Sequence, residues 1–160
     1  MRAVRLSPEL IDAMKRHART TYPLECCGYL LAPAEIDRRP GPRIVTGIEA
    51  AANEYPGERR RRFEIRPSEL REVERRLEGT GQLVAGFYHS HPDHPAKPSA
   101  FDEEHAWPWY TYVVLGVTAS EVPGIGAFEL DAETGRFHDV PLEVVPSHDG
   151  AKLSSSPART

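Results

Sequence analysis

Residues 89–102 read HSHPDHPAKPSAFD, and this stretch decides the fold. It directly follows Leu83 to Tyr88, an apolar run that is typical of a buried strand. Side chains two residues apart on a strand point to the same face, so His89 and His91 can direct both imidazoles at one point. Asp102 comes after a proline-rich loop that is long enough to fold back. The stretch therefore predicts a strand, a loop and a helix start that present three metal-binding side chains.

The types of these three side chains point to a catalytic metal rather than a structural one. Two histidines and one carboxylate leave the fourth position of a tetrahedral zinc ion open for water, whereas structural zinc usually has four protein ligands and more cysteine. Two alternatives stay open. His89 and His91 could be polar residues at a sheet rim, and Ser99 with Asp102 also fits the Ser-x-x-Asp capping box of a helix start.

Around this stretch, helical and strand patterns mix in an order that predicts one domain of the α/β or α+β class. Its helices would pack on one mostly mixed β-sheet. Residues 1–146 are assigned to the domain, and the tail at 147–160, rich in serine, proline and alanine, is expected to be disordered. Helices are predicted at 8–20, 67–77 and 99–106, and strands at 3–6 (as an edge strand), 25–32, 43–48, 61–65, 83–88, 109–117, 125–130 and 137–145.

Composition limits the class of protein. A chain of 160 residues with a net charge of -4 fits one domain and argues against a general nucleic-acid binder, which would show a basic face. The two cysteines, Cys26 and Cys27, are adjacent and form no disulfide framework, so a reducing compartment is expected. No signal peptide or membrane-spanning run is found in the sequence. We expect a cytoplasmic protein without nucleic-acid or membrane partners.

The spacing of His89-Ser-His-Pro, Ser99 and Asp102 resembles the signature of the JAMM (MPN-plus) metallopeptidases. Residues 25–28, Glu-Cys-Cys-Gly, look like the upstream glutamate segment of that family, and the resemblance covers roughly residues 1–145. It implies a single-domain JAMM/MPN fold with a cytidine-deaminase-like sheet. It also implies Zn²⁺ held by His89, His91 and Asp102, Glu25 as general base and Ser99 as a donor to the oxyanion. Taken alone, Glu25 would be interpreted as an exposed carboxylate at a helix–strand junction.

The resemblance also suggests a substrate class. The short chain is most similar to the stand-alone prokaryotic branch, the Mec or CysO-cysteine peptidase type. Such enzymes act on a ubiquitin-like sulfur-carrier protein, cleaving after its C-terminal Gly-Gly to release cysteine or a short extension in cysteine biosynthesis. A homodimer is also compatible with this branch.

Three alternatives to this substrate class stay open. One is an isopeptidase that removes a ubiquitin-like modifier from lysines. Another is the RadC-like branch, whose loop carries asparagine and glycine where this chain has Ser90 and Asp93. The third is a non-catalytic interaction module, which the complete ligand set opposes.

Other conspicuous residues are interpreted as structural or surface features. The histidines at 94 and 105 are expected in a solvated loop and on a helix surface, although the second could support the site. We expect the two cysteines in the core and the arginine run at a solvated edge. The two tryptophans are expected to pack within the fold rather than to form a platform for a substrate. These residues are His94, His105, Cys26, Cys27, Trp107, Trp109 and Arg59 to Arg62.

Overall fold

The computed structural model describes residues 2–146, so the predicted tail at 147–160 lies outside the described residues. None of the helices within 2–146 is long and apolar enough to cross a membrane. The elements in chain order are β1 (Val4–Leu6), α1 (Pro8–Thr21), β2 (Cys27–Pro33), α2 (Ala34–Asp37), β3 (Arg43–Ile44), β4 (Gly47–Ala51), α3 (Pro67–Leu77), β5 (Gln82–Pro92), α4 (Ala100–His105), β6 (Thr111–Val117), β7 (Gly124–Leu130), β8 (Phe137–Val140) and β9 (Leu142–Val144).

A six-stranded mixed sheet forms the centre of the fold, with the strand order β4-β2-β5-β6-β7-β8. Strands β5 and β6 pair in parallel and every other neighbouring pair is antiparallel. A second sheet of three parallel strands has the order β3-β1-β9. The mixed α/β architecture agrees with the prediction, while the second sheet was not predicted.

The core consists of two separate apolar clusters, and helices α1 and α3 each pack in one of them. Residues that alternate along β2 and β5 contribute to one cluster or the other. Helix α1 begins at Ser7, whose Oγ accepts a hydrogen bond from the Leu10 amide, and it joins the cluster that contains Leu30 and Tyr88. Helix α3 packs against Phe87 in the other cluster. Burying one leucine-sized side chain contributes about 1.5–3 kcal/mol, so these clusters fix which face of each strand is turned to which helix.

Several predicted strand boundaries were wrong. Residues 43–48 and 137–145 each divide into two strands that belong to different sheets. Pro141, which has no N–H to donate, stands at the second break. Strand β1 lies in the middle of its sheet rather than at an edge. The short helix α2 lies where no helix was predicted.

No strand forms at residues 61–65. The apolar alternation of Phe63 and Ile65 suggested one, but the polar groups of this backbone bond to Asn53 instead. The Asn53 amide donates to the carbonyl of Arg62 and accepts from the N–H of Glu64. A side chain therefore replaces the partner strand, and the segment stays an irregular loop.

Candidate metal centre

Strand β5 carries both histidines of the signature. It extends through Pro92 rather than ending at Tyr88, and it pairs with β2 on one side and β6 on the other. His89 and His91 continue the face that carries Phe87, and both are buried. Their Nε2 atoms lie 3.2 Å apart. The strand thus brings the two imidazoles together at one point, as the spacing predicted.

Asp102, in the first turn of α4, completes a triangle with the two histidines. Its Oδ2 lies 3.1 Å from the Nε2 of His89 and 3.1 Å from the Nε2 of His91. Ligand atoms about 2.0–2.1 Å from a tetrahedral zinc ion stand about 3.3 Å from one another. The three donor atoms therefore already have nearly the spacing that a small divalent cation requires.

Ser99 forms the predicted capping box with Asp102. The Ser99 Oγ accepts a hydrogen bond from the Asp102 amide at 3.1 Å, and the Ser99 amide donates to Asp102 Oδ2 at 2.8 Å. This reciprocal pair fixes the carboxylate that faces the histidines. Because the hydroxyl uses its oxygen as the acceptor, its proton is available to another partner.

Each imidazole is held in place by a different contact. The Nδ1 of His91 lies 3.3 Å from the carbonyl oxygen of Pro95, which can only accept. Nδ1 therefore carries the proton and Nε2 directs its lone pair at Asp102 and His89. The ring of His89 stacks on Phe63, with centroids 4.4 Å apart. Its Nδ1 is buried and has no hydrogen-bond partner among residues 2–146.

The charges of this group suit a divalent cation. Burial lowers the pKa of His89, against an opposing effect of Asp102, so the imidazole is neutral. Burial alone would raise the pKa of Asp102, but its close contacts with His89 and His91 and the hydrogen bond from the Ser99 amide hold it well below its usual range. An ionised carboxylate beside two imidazole nitrogens forms a donor set that metals prefer.

Glu25 lies beside the histidine pair, immediately before β2. The side chain is buried, with only 2% of the residue exposed, so the interpretation of an exposed carboxylate was wrong. One of its carboxylate oxygens, a nitrogen of His89 and a nitrogen of His91 all lie within 4.8 Å of one another. Asp102 lies closer to both imidazoles and is the better third ligand, which leaves Glu25 as a neighbouring carboxylate.

The electrostatic surroundings of the Glu25 carboxyl also favour a nearby positive charge. Burial, followed by repulsion from Asp102, raises the pKa of the Glu25 carboxyl to about 9. Its Oε1 is buried and has no hydrogen-bond partner within the described chain. A nearby cation would favour the ionised form and lower this pKa. The histidines, Asp102 and Glu25 together fit a divalent cation.

The Glu-Cys-Cys-Gly segment is locked to β5 by contacts that the sequence did not reveal. The Cys26 amide donates to Ser90 Oγ at 2.8 Å, and the Ser90 amide donates to the Cys26 carbonyl at 3.1 Å. A Cβ on Gly28 would overlap the Tyr88 ring and the Glu49 carbonyl. Ser90, between the two histidines, therefore holds the segment that carries the glutamate. In the sequence, only the position of Ser90 between the two histidines could have indicated this role.

The remaining candidates lie outside this group. His94 is exposed, and His105 is an exposed residue whose Nδ1 donates to the Phe101 carbonyl at 2.8 Å. Both cysteines are buried, and burial raises the pKa of Cys26 to about 11, so they are core residues as expected. The run Arg59 to Arg62 is exposed.

The two tryptophans were expected in packing, and the rings of both pack against Tyr110. Each residue is nevertheless partly exposed. Trp107 is 38% exposed and Trp109 is 52% exposed. Trp107 borders a cavity of about 320 Å³ that has His89 and Asp102 in its wall. An open cavity with potential metal ligands in its wall is the usual setting of a substrate site.

Comparison with known proteins identifies the family. Residues 7–131 match the family model of prokaryotic homologs of the JAB domain. The desampylase of Haloferax volcanii is 33% identical over an alignment of 128 residues, and the match covers 74% of this chain and 87% of that protein. A family model that matches most of the domain and a curated relative at this identity place the chain in one family.

Two solved structures are similar in fold. A protein of Salinibacter ruber has a TM-score of 0.65 at 32% identity, with 89% of this chain and 91% of that chain covered. A protein of Desulfitobacterium hafniense has a TM-score of 0.70 at 24% identity, with 92% and 97% covered, and supports the fold alone. The chain therefore belongs to the prokaryotic JAB-domain family and is a hydrolase of the JAMM type.

Proposed function

We propose that this protein is a zinc peptidase that hydrolyses the amide bond after the C-terminal Gly-Gly of a ubiquitin-like protein. The observation that carries the proposal is the triangle of His89 Nε2, His91 Nε2 and Asp102 Oδ2, with sides of 3.1–3.2 Å. The buried carboxylate of Glu25, whose Oε1 has no hydrogen-bond partner among residues 2–146, lies beside it. A ligand set and a base at one point are the two parts that metal-assisted amide hydrolysis requires.

His89, His91 and Asp102 would hold the zinc ion. Their donor spacing, their two imidazole nitrogens and their single carboxylate fit zinc, although other first-row divalent ions suit such a set as well. When bound, zinc lowers the pKa of a water molecule toward neutrality and polarises the scissile carbonyl. The chain supplies the remaining chemistry through Glu25 and Ser99.

Glu25 acts as the general base. Its carboxylate takes a proton from the attacking water and later delivers that proton to the leaving amine. The position is held by the backbone, because the Glu25 amide donates to the Arg59 carbonyl at 2.8 Å and its own carbonyl accepts from Asn53 at 3.2 Å. Burial raises the pKa of the Glu25 carboxyl, which makes its ionised form a stronger base, and a bound cation would favour that ionised form.

Ser99 donates a hydrogen bond to the oxyanion that develops on the carbonyl carbon. The hydroxyl oxygen accepts from the Asp102 amide, so the proton points away from that contact. A donor that is already oriented in this way stabilises developing charge without reorganisation. The same residue thus caps α4 and serves the reaction.

For the substrate, we propose a ubiquitin-like sulfur carrier from which cysteine or a short extension is released. This role places the protein in the cytoplasm, which suits the two free, buried cysteines. An isopeptidase is the second candidate, because the name of the Haloferax relative, desampylase, denotes removal of a modifier. The two candidates differ only in the amine that leaves, an α-amine or a lysine ε-amine.

Intact-mass spectrometry of model substrates tests the proposal. Ubiquitin-like carriers extended by cysteine or by a short peptide, and the same carriers linked to a lysine side chain, are incubated with the zinc-loaded protein. We expect trimming of the extended carriers to the bare Gly-Gly end and none with the Glu25→Gln variant. Cleavage of the lysine-linked carriers alone would favour the isopeptidase, and no cleavage of any carrier by zinc-loaded protein would overturn the proposal.

A further inference from the structure

The cavity beside the metal centre is built for an apolar group. Its volume of about 320 Å³ lies at the lower end of the range of small-ligand pockets, roughly 300–1,000 Å³. One end is formed by His89 and Asp102, which converge on the metal position. The rest of the wall consists largely of apolar and aromatic side chains, chiefly Phe63, Ile65, Phe87, Phe101, Trp107 and Tyr112.

The polar atom of Tyr112 is already engaged. Its hydroxyl accepts a hydrogen bond from the Trp107 amide at 2.8 Å. The contact fixes the backbone at Trp107, whose ring is partly exposed although the residue borders the cavity. No residue within 2–146 covers this aromatic wall. The wall therefore favours an apolar occupant, because such an occupant removes the aromatic surface from water.

The position of Glu25 indicates which part of the substrate enters the cavity. In the proposed reaction the leaving amine takes its proton from Glu25, so the leaving group must lie beside this carboxylate. Glu25 does not line the cavity, whereas Asp102 and His89 do. The cavity therefore lies on the acyl side of the scissile bond, where the tail of the ubiquitin-like protein must run.

Two glycines separate the scissile bond from the first side chain of that tail. They span about 7 Å when extended, so the preceding residues are within side-chain reach of a cavity that begins at the metal ligands. We propose that this cavity binds one large apolar side chain, from the first or second residue before the Gly-Gly, and that Trp107 determines this preference. The inference rests on the proposed function, because it names a further feature of the same substrate.

A binding experiment tests the inference without turnover. The double variant Glu25→Gln, Trp109→Phe, loaded with zinc, keeps Trp107 as its single tryptophan. Its fluorescence is titrated with the peptides Ala-Leu-Gly-Gly, Leu-Ala-Gly-Gly and Ala-Ala-Gly-Gly. We expect one leucine peptide to bind about tenfold or more tightly than the alanine peptide, since a few methylene groups in an apolar pocket give this discrimination. Equal binding of all three peptides would overturn the inference.

A cleavage experiment separates this inference from the proposed function. Carriers with leucine or alanine at these two positions are cleaved by the wild type, by Trp107→Ala and by the matched control Trp109→Ala, with thermal unfolding measured for each. We expect Trp107→Ala to abolish most of the leucine preference in kcat/KM and Trp109→Ala to retain it. Cleavage with no leucine preference, or with a preference set only by the residue after Gly-Gly, would refute the cavity assignment and leave the peptidase intact. No cleavage at all would instead refute the proposed function.

Discussion

The two sides of the candidate site are built in different ways. On the metal-binding side, the histidines lie on a central strand and Asp102 is fixed by a capping box with Ser99. On the opposite side, Glu25 and Phe63 depend on an irregular loop at residues 53–66 that has no strand or helix of its own. The comparison indicates that ligand geometry is set by regular secondary structure, whereas the base and the part of the cavity wall at Phe63 are set by a few side-chain contacts.

The loop depends mainly on one side chain. The Asn53 amide nitrogen donates to the carbonyls of Glu25 and Arg62, and its oxygen accepts from the amides of Tyr55 and Glu64. These four hydrogen bonds connect the base to the segment that carries Phe63. Substitutions on the two sides should therefore differ in which property they affect, metal binding or turnover.

The largest effect is expected on the metal-binding side. His91→Ala removes one of three ligands, so zinc and activity should be lost together, with turnover reduced at least about a thousandfold. Elemental analysis of the purified protein and a peptidase assay measure the two losses. His94→Ala, which changes an exposed histidine just beyond the end of β5, is the matched control and should keep both. A His91→Ala protein with stoichiometric zinc would contradict the ligand assignment.

Glu25→Gln should separate the two properties. The glutamine has nearly the same shape and cannot accept the proton of the attacking water, so turnover should fall about 10²–10⁴-fold while zinc is retained. Steady-state kinetics and metal content provide the check, with exposed Glu58→Gln as the control. Turnover at the wild-type rate in Glu25→Gln would show that another group is the base.

Ser99→Ala removes a hydroxyl from the metal-binding side. Loss of the donor to the oxyanion should lower kcat about 10²-fold, and loss of the helix cap should lower the free energy of unfolding by about 1 kcal/mol. Metal affinity should change little. Chemical denaturation and kinetics are compared for the same variant. Unchanged kinetics with a less stable protein would restrict Ser99 to the capping role.

Asn53→Ala tests the loop side. Loss of four hydrogen bonds should misplace Glu25 and lower kcat by about tenfold, with zinc content unchanged, because no ligand of the metal is touched. The conservative variant Asn53→Asp keeps the acceptor oxygen and loses both donations. It should show the same kcat defect if the donation to the Glu25 carbonyl is what matters. Loss of zinc in either variant would contradict the independence of the two sides.

The smallest effect is expected from the tail. We propose that residues 147–160 take no part in the site, and deleting them should leave kcat/KM and the melting temperature unchanged within error. Thermal unfolding and kinetics of the truncated chain measure this. A loss of activity would assign the tail a role in substrate binding.

The sequence predicted the metal-binding side better than the loop side, for a physical reason. His89 and His91 follow the two-residue period of a strand, and Ser99 with Asp102 follows a local capping pattern, so both are readable from neighbouring residues. The burial of Glu25 and the wall formed by Trp107 depend on contacts between residues distant in the chain. The strand predicted at residues 61–65 was wrong for the same reason. The alternation of Phe63 and Ile65 favours a strand, but the hydrogen bonds of this backbone to the distant Asn53 cannot be inferred from neighbouring residues.

Anomalous diffraction at the zinc absorption edge from crystals of the zinc-loaded protein would locate the metal ion and its ligands. We expect one peak within about 2.0–2.2 Å of His89 Nε2, His91 Nε2 and an Asp102 carboxylate oxygen, with Glu25 outside bonding distance. A peak elsewhere in the chain, or one in which Glu25 replaces Asp102 as the third ligand, would contradict this ligand assignment.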